Sequence, residues 1–112
     1  MEHKDLGKTS LGMEANVAAL LSYLLGFITG IIFYVLEKEN KFVRFHAMQS
    51  IVTFGALFVL AVVIGLIPSL GWALVNLIWI VQIVLWIILM LKAYQGELFK
   101  LPIAGDIAEK NS

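Results

Sequence analysis

The sequence predicts an all-α integral membrane protein with three transmembrane helices. Three observations carry this. Hydrophobic residues make up 61% of the 112-residue chain and charged residues 14%, against roughly 45–50% and about 25% in soluble globular chains. Residues 15–36 contain no Asp, Glu, Lys or Arg. Neither do the 47 residues from Phe45 to Leu91, and at helical rise these would reach about 70 Å, more than twice a hydrocarbon core of about 30 Å. The second run must therefore turn back once.

Residues 1–12 are polar, with Glu2, Lys4, Asp5 and Lys8, and read as a mobile tail. Thr9 or Ser10 is placed to cap the helix that follows, and Glu14 falls in its first turn, where a carboxylate complements the helix dipole. The first span is expected over residues 15–36, about 33 Å of helix. At 22 residues it is too long for the h-region of a cleavable signal peptide, which is about 7–15. Ala18, Ser22, Gly26 and Gly30 recur every four residues. Small residues at that spacing let helix backbones approach in lipid, where the hydrophobic effect does not drive helices together. Packing on another helix of the same chain is the favoured reading of Ser22, Gly26 and Gly30, and a homodimer seam is the alternative.

Residues 37–44 form a short charged connection, so the first two spans are expected to be an antiparallel hairpin. The second span is expected over residues 45–67. It is broken from the third, residues 72–91, by Pro68-Ser69-Leu70-Gly71, since proline lacks an amide donor and both Pro68 and Gly71 favour a turn. Residues 92–112 make an interfacial tail, with Tyr94 as an anchor and Leu98, Phe99, Leu101 and Ile103 resting on the surface. The whole chain is one transmembrane domain.

Candidate functional positions cluster at the start of the second span. His46, Gln49, Ser50 and Thr53 share one helix face, and a polar stripe in a span turns toward other helices or a wet cavity. It is expected to face the first span near Thr29 and Tyr34. His46 lies two residues from Arg44, so an interfacial cap bonded to the loop is favoured over a proton relay or ligand role. Phe42 and Phe45 are expected as interfacial anchors, with Arg44 reaching lipid phosphates. Trp72 fits the aromatic belt, whereas Trp79 and Trp86 continue its seven-residue spacing deeper, beside Gln82 and Asn76. That face reads as packing ahead of a ligand wall.

There is no cysteine, no Gly-rich phosphate loop, no Ser/His/Asp set and no zinc signature. No catalytic residue, metal or cofactor is expected, and the chain is not read as an enzyme. A formal net charge of zero gives no reason to expect a nucleic-acid partner. The expected partners are the lipid bilayer and other membrane protein chains, self or hetero.

Several stretches are similar to one family: Thr9-Ser10-Leu11-Gly12, residues 16–23, residues 37–50 with Phe-Val-Arg-Phe-His-Ala-Met-Gln-Ser, and residues 94–106. On these the chain resembles the small prokaryotic membrane proteins grouped with the chloroplast inner-envelope import subunit of about twenty kilodaltons, the Tic-twenty-like superfamily. The resemblance implies a membrane protein with no catalytic residues. The import subunit is similar to four-span proteins and three spans are counted here, so import activity does not carry over.

The functional expectation is a multi-pass protein of the cell membrane, a non-enzymatic subunit or scaffold acting through helix association. The alternative is a small oligomeric transporter or channel with a link to protein translocation. Three spans put the termini on opposite sides. The 37–44 loop and the C-terminal tail carry six Lys and Arg residues against Lys4 and Lys8, so the positive-inside rule places the C-terminus in the cytoplasm and the N-terminus outside.

Overall fold

The computed structural model describes residues 6–112. It contains five helices: α1 (Ala15–Leu24), α2 (Phe27–Leu36), α3 (Lys41–Gly65), α4 (Gly71–Tyr94) and α5 (Ala104–Lys110). Two of them, α3 and α4, are long and apolar enough to cross a membrane, at 25 and 24 residues. The break between them falls at the Pro/Gly turn. Ser69 there takes a φ of 70°. A Cβ on Gly71 would lie 2.7 Å from the Ile64 carbonyl oxygen, so only glycine lets α4 start this close to α3.

The first apolar stretch departs from the expected single span. It breaks at Leu25 and Gly26 into two ten-residue helices, each about 15 Å long. These run in opposite directions. The Ser10 amide donates to both carboxylate oxygens of Glu37 at 2.8 Å. The Asn40 side chain donates to the carbonyls of Leu6 and Lys8. A straight helix over residues 15–36 would hold these ends about 33 Å apart. The reversal turns on Gly26, whose φ of 63° and ψ of −135° suit a residue without Cβ. Hydropathy counted the apolar residues correctly but carries no direction, so a folded-back pair and a crossing helix read alike.

Gly26 and Gly30 consequently do not share one helix face. Gly26 is in the turn. Gly30, on α2, lies against α3, and a Cβ there would meet the Ala47 carbonyl oxygen at 2.9 Å. Ser22 is buried near the end of α1 and donates to the Ala19 carbonyl at 2.6 Å. α1 packs against both α3 and α4, whereas α2 packs on α1 and α3 and leaves α4 free.

Both ends of the described chain also differ from expectation. Residues 6–10 are tied down by Glu37 and Asn40. Glu14 is the residue before α1 and not part of its first turn, and no side chain caps that helix. Thr9 instead donates to the Met13 carbonyl. Residues 1–5, which include Glu2, His3 and Lys4, lie outside the described residues. After α4, Phe99 and Leu101 pack on the core and not on the surface, and α5 packs on α3, whereas Leu98 and Ile103 are exposed. Tyr34 and Arg44 then donate to the carbonyls of Asn111 and Ser112. Residues 6–10, the 37–40 connection and residues 111–112 therefore sit at one end of the molecule, not at opposite ends. The error follows from counting residues 15–36 as a crossing.

The core lies at that same end. It is built from Ala15, Ala18, Ala19 and Tyr23 of α1, Phe42, Val43 and Phe54 of α3, and Leu89 and Ala93 of α4. Alanines on α1 allow it to wedge between the two long helices. Beyond Phe54 no residue of α3 is buried, and before Leu89 on α4 only Gly71 and Ile78 are. The far halves of α3 and α4 form a bare helical pair.

Candidate functional site

A buried polar centre sits where α1, α3 and the segment after α4 meet. Asn40 starts α3 by accepting from the Val43 amide. One turn and a half later His46 is fully buried, ringed by Tyr23, Phe42 and Phe45 edge-on. His46 Nε2 lies 2.8 Å from the Glu97 carbonyl, which can only accept. Nε2 therefore carries the hydrogen and Nδ1 is the acceptor. The Tyr23 hydroxyl donates to Nδ1 at 2.6 Å. Gln49 Nε2 donates to the Tyr23 oxygen at 3.0 Å and to the Phe99 carbonyl at 2.8 Å. Gln49 Oε1 accepts from the Leu101 amide. Each polar atom of His46, and each of Gln49, is thus engaged. The arrangement fixes a neutral histidine and pins an irregular segment to α3, and it leaves no nitrogen free for proton relay or ligation.

The other residues of the stripe do separate jobs. Ser50 donates to the Gly26 carbonyl at 2.8 Å. Trp86 Nε1 lies 2.9 Å from the Tyr23 carbonyl and 3.2 Å from that of Leu24. Thr29 accepts from the Leu25 amide and donates to the Ser22 carbonyl. Irregular backbone at membrane depth is tolerated only where protein satisfies it, and these three side chains do that for the α1–α2 turn. Thr53 is buried with no hydrogen-bond partner among the described residues. It lines a groove of about 360 Å³ with Leu57, Leu85, Leu101 and Ile103. Thr29 thus acts within its own turn, and Tyr34 does not meet the stripe as expected; Tyr23 and residues 97–101 do.

Three expected interfacial residues are elsewhere. Phe42 and Phe45 are buried against His46. The Arg44 guanidinium lies 4.1 Å over the Tyr34 ring and donates to the carbonyls of Tyr34 and Glu37, so it closes the end of α2 and does not reach for phosphates. Trp72 is 72% exposed at the far turn. Trp79, Gln82 and Trp86 line a cleft of about 310 Å³ with Gly26, Phe54 and Phe58, in the gap where α2 leaves α4. Asn76 bonds within its own helix, to the Trp72 carbonyl.

Glu37 was missed by sequence reasoning. Burial works to raise its pKa, but amide donors from Ser10, Asn40 and Glu39 outweigh this and hold it below the usual carboxylate range. Lys100 is paired with Asp106 and Glu109 at 3.1 and 3.2 Å, which raise its pKa. Tyr23 was also missed, whereas Trp86 packs as read, its indole bonded across helices. A tyrosine inside an apolar run was the available signal, because a buried phenol needs a partner. Among the described residues no group of three His, Cys, Asp or Glu side chains is placed to hold a metal ion.

Comparison with known proteins decides the family. Residues 8–108 match the profile of the magnetosome magnetite crystal formation protein family. The chain belongs to that family. Its similarity extends to UPF0132 membrane proteins of archaea. One from Methanocaldococcus jannaschii is 56% identical over 96% of each chain. A second from the same organism is 50% identical over 90% of this chain and 72% of its own. One from Archaeoglobus fulgidus is 50% identical over 88% of this chain and 95% of its own. The Tic-twenty-like resemblance is thereby corrected: the stretches that suggested it, including residues 42–50, fall within the match to the magnetosome family. No solved structure matches.

Proposed function

We propose that this chain is a non-enzymatic, multi-pass protein of the cell membrane that works by association, as a subunit or scaffold. The observation that carries the reading is Gln82. It lies in the middle of α4, in an apolar cleft, and its amide makes no hydrogen bond among the described residues. An unsatisfied amide in hydrocarbon costs several kcal/mol. A polar group from another chain in the membrane would meet that need, while the saturated centre around His46 offers no reactive group. The description of the family concerns magnetite crystal formation. We carry this over as assembly at a membrane and not as iron ligation, since the described residues hold no ligand cluster.

In this reading α3 and α4 are the full spans, and α1–α2 is a re-entrant pair reaching about half the bilayer. Every Lys and Arg among the described residues is outside the 66–70 turn, at or near the end that holds residues 6–10 and 111–112. The positive-inside rule then places that end in the cytoplasm. The test of association is crosslinking from Gln82→Cys in native membranes, with Gln82→Leu as comparison. Gln82→Leu should stay folded and lose the partner. A monomer in mild detergent that crosslinks to nothing, unchanged by Gln82→Leu, would sink the reading.

A further inference from the structure

The distribution of helices along the long axis implies a shape. At the end with residues 6–10, five helices share the cross-section. α1 and α2 both stop at Gly26, which lies against Ser50 and Phe54 of α3. The excursion after α4 stops where Leu101 to Ala104 meet Thr53, Leu57 and Leu85. Past that level only α3 and α4 continue. With a helix diameter of about 10–12 Å, two helices occupy roughly 160–230 Å² and five roughly 400–570 Å². The burial pattern agrees, because the core ends at Phe54 on α3 and resumes only at Leu89 on α4.

A second observation points the same way. The segment from Leu98 to Lys110 carries both characters of a shallow insertion. Leu98, Ile103 and Ile107 are exposed apolar side chains. Lys100, Asp106 and Glu109 form an exposed ion cluster on the same segment. Amphipathic elements of this kind lie at the headgroup boundary and respond to curvature.

We propose that the chain is a membrane wedge: it displaces more area in the leaflet holding its termini than in the opposite one, and so favours and generates membrane that is convex on the terminal side. The bilayer relieves the mismatch by bending, since in a flat membrane the extra protein area crowds the lipids of the wide leaflet and stretches those of the narrow one. With that side cytoplasmic, as proposed above, the favoured membrane bulges into the cell. The wedge itself does not depend on that orientation, nor on the association reading.

The test uses the purified full chain, labelled at Ser112→Cys, in phosphatidylcholine vesicles of mixed diameter at low protein density. Label accessibility sorts the two orientations. Molecules with termini outside should be enriched per unit area on the smallest vesicles, and molecules with termini inside depleted there. Raising the protein-to-lipid ratio during detergent removal should shrink the vesicles formed. Equal density at all diameters, or enrichment of the opposite orientation, overturns the wedge. Crosslinking of the same samples separates this from the association reading. A dimer that shows no curvature preference defeats the wedge alone, and a monomer that keeps the preference supports the wedge while counting against self-association.

Discussion

The Tyr23 hydroxyl and His46 Nδ1 meet at 2.6 Å, and this bond joins the folded-back helix α1 to the spanning helix α3. Because Gln49 donates to the same phenol oxygen, removing the hydroxyl strands two buried groups at once. Tyr23→Phe should therefore destabilise by about 1–3 kcal/mol for each group left unsatisfied. Gln49→Leu should cost a similar amount, since it strands the Leu101 amide. The double variant should lose less than the sum, as expected for residues in one network. Thermal unfolding in detergent reads all three; strict additivity would show that the network is not a unit.

The reversal at Gly26 predicts a short distance. Spin labels on Lys8→Cys and Lys38→Cys should lie near one another, whereas a continuous helix over residues 15–36 separates its ends by about 33 Å. Electron–electron distance measurement in nanodiscs distinguishes these outcomes.

Gly30→Leu should separate α2 from α3. A Cβ already meets the Ala47 backbone oxygen at 2.9 Å, and backbone cannot move aside cheaply. Overpacking of this kind costs about 1–3 kcal/mol. Hydrogen exchange should rise over residues 27–36 and stay low over α4. Unchanged exchange in α2 would refute the packing described.

Acidification should release residues 6–12. The pKa of Glu37 is depressed in the folded protein, so its contribution to stability is present above the ordinary carboxylate pKa. It is lost as the pH falls through the lowered folded value. A fluorophore at Lys8→Cys should report this step, and Glu37→Gln should show the released state already at neutral pH. A step that persists in Glu37→Gln would assign it to another group.

The proposed topology makes three labelling sites diagnostic. Cysteines at Ser10 and Ser112 should react only from the cytoplasmic side, and one at Ser69 only from outside. Labelling of Ser10 and Ser112 from opposite sides would restore three crossings.

Composition and charge-free length made the helical membrane class legible, and Pro68 with Gly71 located the turn between the two long helices. Direction was not legible. Residues 15–36 are apolar whether they cross or turn back, and Gly26 looked like one member of a small-residue stripe. What distinguishes the two cases is satisfaction of the turn by Thr29, Ser50 and Trp86, which is tertiary. The stripe from His46 to Thr53 was visible by helical spacing. Its partners were not, because two of them are the backbone carbonyls of Glu97 and Phe99, and a carbonyl leaves no mark in a sequence. Phe42 and Phe45 were misplaced because an aromatic beside a charged loop is compatible with lipid or with a buried imidazole.

The bond from His46 to the Glu97 carbonyl closes a loop of 51 residues. During translation at about 5–20 residues per second, His46 leaves the ribosome roughly 3–10 s before its acceptor does. Gln49 waits as long for Phe99 and Leu101. Through that interval the newly made α1–α3 unit exposes an imidazole and an amide at membrane depth, so it is during its synthesis that the protein most needs a chaperone or insertase to shield them.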